Sequence, residues 1–159
     1  MLEIRKVDLS NLEEGRLAVS LLNEYACDPM GGGEPLDDKV REALPEALST
    51  RPGAHALIAW LDDEPVGLAM CFEGFSTFAC KPLINIHDFM VRSAYRGKGI
   101  GKALMGAVTD MARDLGCCKV TLEVLEGNHP AKALYRAMGY EGYALLEETG
   151  SAMFWQKKL

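Results

Sequence analysis

Apolar positions along the chain follow two rhythms, and the switches between them lay out the secondary structure. Alternating or continuous apolar runs predict strands at "LEIRKVDL" (2–9), "AHALIAWL" (54–61), "VGLAMCFEGFSTF" (66–78) and "LINIHDFMV" (83–91). The turn "DDEP" (62–65) joins the second and third of these as a hairpin. Helical spacing takes over at Leu12, Leu17, Leu21 and Leu22, predicting a helix from about 12 to 25. A second helix is expected over 37–49, although Pro45 falls inside it. The clearest stripe is Ile100, Ala103, Leu104, Ala107, Val108, Met111, Ala112 and Leu115, with Gly116 as its stop. "CCKVTLEVL" (117–125) then returns as a strand, and Asn128 and Pro130 open a short helix ending at Met138 and Gly139. "YEGYALLEE" and "SAMFWQKK" predict a closing hairpin around Gly150, and Phe72, Phe75, Phe78 and Trp155 are expected in the core.

This order predicts one α/β (α+β) domain over 1–159, built on a mixed sheet. The chain has 159 residues, of which 48% are hydrophobic and 25% charged, enough apolar content for a substantial core. A net charge of −6 argues against nucleic-acid and anionic-membrane partners, which need a basic surface. The N-terminal stretch has no apolar signal core, and no run reaches membrane-spanning length. Cys27, Cys71, Cys80, Cys117 and Cys118 are odd in number and lack a CxxC pair. All five are read as reduced thiols in a cytoplasmic protein with no metal site, with Cys71, Cys80, Cys117 and Cys118 mostly strand-borne and in the core.

Against this acidic background, "YRGKGIGKAL" (95–104) concentrates glycines and cations at the start of the strongest helix. A P-loop would need a glycine at Arg96 and a hydroxyl at Ala103, and a Rossmann fingerprint would need a glycine at Lys102. Neither is present. What remains is Arg96-x-x-Gly99-x-Gly101, whose glycines admit a ligand to the backbone and whose helix start presents free N–H groups. Arg96, Lys98 and Lys102 add positive charge, which suits a small anion such as a pyrophosphate held without metal.

"DFMVRSAYRGKGIGKALM" resembles the acetyl-CoA-binding motif of the GNAT N-acetyltransferase superfamily, with its Arg/Gln-x-x-Gly-x-Gly/Ala core. "NHPAKALYRAMGY" (128–140) resembles that superfamily's second signature, an Asn followed by a helix carrying a Tyr. The resemblance extends over nearly the whole chain. It implies a GNAT fold, a mostly antiparallel sheet of about six or seven strands with about four helices. It also implies acetyl-CoA as cosubstrate, an amine as acceptor, and the homodimer frequent among such proteins. By that resemblance the backbone of Phe89, Met90 and Val91 pairs with the pantetheine arm. The pyrophosphate lies on the amides of Arg96, Gly97, Lys98, Gly99, Ile100, Gly101 and Lys102. Asn128 and Lys132 lie near the pantetheine region.

Tyr135 matches the tyrosine that faces the thioester sulfur in this family, where an O–H assists departure of the thiolate. Some members place a carboxylate base where this chain has Asn85, and others a His or Glu at His87. Alternation puts those two side chains on one face, and a histidine titrates in a useful range. Asp88 follows, and "HDFMV" is similar to the "EDFFV"-type stretch of the polyamine and thialysine acetyltransferase branch, whose acids attract a cationic substrate. Glu73, Glu123 or a water chain are the other bases to consider. The acceptor is expected between the N-terminal helices, the 27–36 loop and the closing hairpin, with Asp28, Glu34, Asp37 and Asp38 on the rim. A small-molecule amine is the favoured acceptor. A peptide or protein acetyltransferase, and an acyl-CoA-binding module without turnover, share the donor features.

Overall fold

The computed structural model describes residues 1–159. Five strands form one sheet in sequence order: β1 (Leu2–Lys6), β2 (Ala54–Leu61), β3 (Glu64–Ser76), β4 (Lys81–Val91) and β5 (Val120–Leu122). The first four pair antiparallel and β5 joins β4 in parallel. Four α-helices cover the sheet: α1 (Leu12–Cys27), α2 (Asp38–Ser49), α3 (Ile100–Asp114) and α4 (His129–Ala137).

The central strands carry near-continuous buried runs because both faces are covered. Ile58, Leu68, Met70 and Met90 face Ala18, Val19 and Leu21 of α1 and Leu48 of α2. On the other face, Leu57, Ala69, Ile84 and Ile86 meet Leu104, Met105, Val108 and Ala112 of α3. Burial of this apolar surface is the main force holding the layers. Pro45 stays inside α2, buried against the position of Gly15 on α1. Its ring therefore contributes packing that offsets the helix bond it removes.

Several expectations need correction. The strand over 117–125 shrinks to Val120–Leu122, and the closing segments pair only through an Ala144–Ser151 bridge, giving five strands instead of six or seven. Phe75, Phe78 and Trp155 are 60%, 98% and 80% exposed, so only Phe72 of that set packs on the core. Phe75 and Phe78 lie where the β3–β4 hairpin outruns its neighbours, beyond the reach of any helix. Among the strand cysteines Cys71 alone is buried, whereas Cys80 and Cys118 are exposed. No helix is long and apolar enough to cross a membrane.

Candidate active site

The site is built on an irregularity in β4. Ile86 pairs with Cys71 and Asp88 with Met70, so His87 is an extra residue, a β-bulge. Before the bulge, the Ile84 N–H turns towards β5 and bonds Lys119 O. After it, the Arg92 N–H bonds Val66 O, so alternation turns the backbones of Asp88 and Met90 towards β3 and those of Phe89 and Val91 away from it. β5 reaches only as far as Ile86, leaving that second side open. The Phe89 backbone and the Val91 N–H therefore lie free on this edge, whereas Met90 turns to β3. Its carbonyl lies against Gly67 of β3.

The bulge also sets side-chain direction. His87 and Asp88, neighbours that strict alternation would separate, both line one cavity beneath α1 and α2. Asn85 faces the same side of the sheet, where its amide donates to the Thr121 hydroxyl at 3.0 Å, so it is a structural tie. His87 stands edge-on to Phe72, with ring centroids 5.5 Å apart. The Asp88 carboxylate makes no hydrogen bond or ion pair with another residue, and its side chain is half-buried. Burial pushes its carboxyl above the usual carboxylate range, and the charge of His87 acts in the opposite sense.

That shift has a stability consequence. A carboxyl with a raised folded-state pKa costs nothing while protonated in both states. It destabilises the fold as pH rises through the folded value. Asp88→Asn is accordingly expected to raise Tm near pH 7. The gain should vanish below the unfolded value of about 3.9. Thermal melts at both pH values measure this, and an unchanged or lowered Tm near pH 7 would contradict it.

Tyr135 lies on α4 across the sheet edge. Its ring packs edge-on to Phe89 at 6.2 Å and tilted to Tyr140 at 6.1 Å. Burial, with lesser effects from Tyr25 and Tyr140, pushes its hydroxyl up to about 12, so it stays protonated through the neutral range. Tyr25, at the end of α1, lines the cavity with Asp88. Burial raises its hydroxyl too, followed by the charges of Asp88 and Asp28. Sequence reading missed Tyr25, because a tyrosine on a helix stripe looks like core until the bulge brings Asp88 opposite.

The basic loop presents a row of free donors. Ala103 is the first α3 residue whose N–H closes a turn, on Gly99 O, and the N–H groups from Gly97 to Lys102 find no acceptor in the protein. Gly99 is the N-cap at φ +80° and has no side chain to cap the helix. Arg96 differs from the rest. Its N–H bonds Ser93 O at 3.3 Å, its Nε donates to Val91 O at 2.9 Å, and its guanidinium pairs with Asp28 at 2.8 Å. The ion pair with Arg96 holds the Asp28 carboxyl below its usual range. Arg96 is thus a clamp between this loop and the 27–36 loop. Lys98 sits over the Tyr95 ring at 5.0 Å, while Lys102 pairs with no acid.

Asn128 caps α4 by accepting the Ala131 N–H at 3.3 Å, and Lys132 donates to Glu126 O at 3.1 Å. Both stabilise the turn entering α4 on the Tyr135 side. Glu73 is 2.7 Å from His55 on the sheet face opposite the cavity, and Glu123 is exposed just past β5. Burial and Asp88 push the Cys71 thiol to about 12, which leaves it unreactive. The 27–36 loop folds back on α1: Asp28 accepts from Met30, Gly31 and Gly33, and a Cβ at Gly31 would meet Tyr25 O at 2.0 Å. Asp37 caps α2 and Asp38 pairs with Arg41, so neither is free to serve a ligand.

An open strand edge, a row of helix-start amides, a protonated tyrosine packed on that edge and a half-buried carboxyl in the neighbouring cavity are the parts of an acyl-transfer site. The acetyltransferase (GNAT) family pattern matches residues 18–140. The chain belongs to that family. It is 32% identical over 138 residues to the thialysine Nε-acetyltransferase of Bos taurus, covering 76% of this chain and 81% of that one. An L-ornithine N5-acetyltransferase of Arabidopsis thaliana is 31% identical over 123 residues, covering 75% of this chain and 49% of the other. The structure of AAC(6')-Iy in complex with the bisubstrate analogue CoA-S-monomethyl-acetylneamine shares the fold. Its TM-score is 0.74 at 20% identity, with 100% and 99% of the two chains covered. This GNAT N-acetyltransferase therefore carries the expected fold with a shorter sheet.

Proposed function

We propose that this N-acetyltransferase passes acetyl from acetyl-CoA directly to the primary amine of a small molecule. The observation that carries the proposal is the bulge at His87. It turns Asp88 into the cavity with His87 and leaves the following residues, Phe89 and Val91, with backbone groups on the open lateral edge of β4, where Phe89 packs against Tyr135.

The N–H groups from Gly97 to Lys102 bind the coenzyme's pyrophosphate, helped by the α3 dipole and Lys102. Phe89 and the Val91 N–H orient the pantetheine arm along the open edge of β4, and Asn128 and Lys132 shape the turn beside it. In the cavity, Asp88 holds the incoming ammonium and, with His87, receives the proton it must lose. The neutral amine then forms the C–N bond as the C–S bond breaks. Tyr135 donates its O–H to the departing sulfur, and the second proton of the amine restores the balance. One proton ends on coenzyme A and one in solvent. The raised Asp88 carboxyl is the better base for its burial.

A cavity of about 330 Å³, roofed by α1 and α2, suits a small molecule better than a peptide segment. The thialysine and ornithine activities of the relatives support a small primary amine. Initial rates with both substrates varied test direct transfer. Intersecting reciprocal plots are expected, whereas parallel lines would require an acetyl-enzyme and overturn the proposal.

A further inference from the structure

We infer that the acceptor cavity takes a primary amine borne on an uncharged, apolar body, of the arylalkylamine class, in preference to amino acids and polyamines. The inference rests on the acetyl-transfer reading and narrows its acceptor.

Eight of the eleven residues lining the cavity are hydrophobic, among them Leu22, Leu44, Met70 and Phe72. Against these stand a single carboxylate, Asp88, whose side chain has no hydrogen-bond partner, and the His87 imidazole beside it. An ammonium can pair with Asp88 while the rest of the molecule lies on apolar surface and the Phe72 ring. The acceptor's amine is thus bound by charge and its body by burial.

An α-amino acid would bring a carboxylate into this space. No lysine or arginine lines the cavity to receive it. Arg96 is held by Asp28 and Val91 O, and Arg92 is held by Glu24 at 2.6 Å and Glu64 at 3.2 Å. The amino-acid carboxylate would lie near Asp88 with only the His87 imidazole, whose charge already acts on Asp88, to meet it, which is costly. A polyamine presents the opposite mismatch. Its second ammonium would need another acid, but Asp28 serves Arg96 and Asp38 serves Arg41. Glu34 remains, exposed on the rim, where an ion pair contributes little. The volume of about 330 Å³ is also at the small end for ligand pockets, which disfavours a multi-ring amino sugar.

The test compares kcat/KM for phenethylamine, L-lysine, L-ornithine and spermidine by thiol release from acetyl-CoA. Phenethylamine is expected to exceed each of the others by about tenfold or more, the cost of one unmatched charge. A preference for lysine, ornithine or spermidine, or equal values for all four, would overturn the inference. If no amine releases thiol, the acetyl-transfer reading fails instead, and calorimetry decides the cavity's chemistry. Phenethylamine binding tighter than lysine and spermidine would support the inference, and its failure to bind would overturn it.

Discussion

Tyr135→Phe is expected to lower kcat for acetyl transfer by about 10²–10⁴-fold, the range for loss of a positioned proton donor, with acetyl-CoA affinity unchanged. The substitution removes only the hydroxyl. The ring keeps its contacts with Phe89 and Tyr140, so folding and the open edge of β4 should persist. Because burial pushes that hydroxyl to about 12, it is available as a donor throughout the neutral range. Loss of such a donor removes an interaction made most strongly as the thiolate leaves, which lowers kcat and kcat/KM together. Rapid-quench measurement of the chemical step, alongside calorimetric binding of acetyl-CoA, reads both quantities. A variant with wild-type kcat would remove Tyr135 from the chemistry.

On the donor side, Gly99→Asp is expected to weaken acetyl-CoA binding by about 10- to 100-fold, a change of about 1.4–2.8 kcal/mol. A Cβ at Gly99 meets no atom within 4 Å, so the new side chain enters open space beside the free amides. The added carboxylate repels the pyrophosphate and competes for the same N–H groups. Asp also has to adopt φ +80°, a position glycine takes without strain. Gly99→Asn separates the two causes, since it is of nearly the same size, uncharged, and tolerates positive φ. Asn should retain most of the affinity, and the Asp variant's deficit should shrink at high salt. Equal, salt-independent losses in both variants would place the effect in the backbone and not in anion binding.

The donor half of this site was legible in the sequence because it is local. Gly97 to Lys102 present consecutive free backbone amides at a helix start, and the spacing of glycines and the stripe from Ile100 announce that geometry. Tyr135 was legible for a similar reason, as a tyrosine inside a short helix capped by Asn128. The acceptor half depends on contacts between distant segments. Nothing local shows that His87 is an extra residue, because a bulge is defined by the register of the partner strand. Strict alternation would set Asp88 on the face opposite His87, and nothing local marks Tyr25 as lining the same cavity as Asp88. The Arg96–Asp28 pair spans 68 residues, and no spacing rule reveals that the loop cation is already held.

The closing hairpin failed for a related reason. The segments "YEGYALLEE" and "SAMFWQKK" have strand composition, but a strand needs a partner edge, and these two meet only at Ala144 and Ser151. Phe78 and Trp155 show the same limit, since alternation says which face a side chain takes and not whether anything covers that face. The two cores, by contrast, followed from continuous apolar runs in β2 and β3 and from the helix stripes, where burial leaves a periodic record.

The account's central claim is amine-dependent turnover of acetyl-CoA, and following free thiol with and without phenethylamine tests it most directly. The prediction is negligible release with acetyl-CoA alone and, once amine is added, one N-acetylated product for each coenzyme A liberated. Binding of acetyl-CoA with no release in the presence of phenethylamine, lysine, ornithine or spermidine would contradict it.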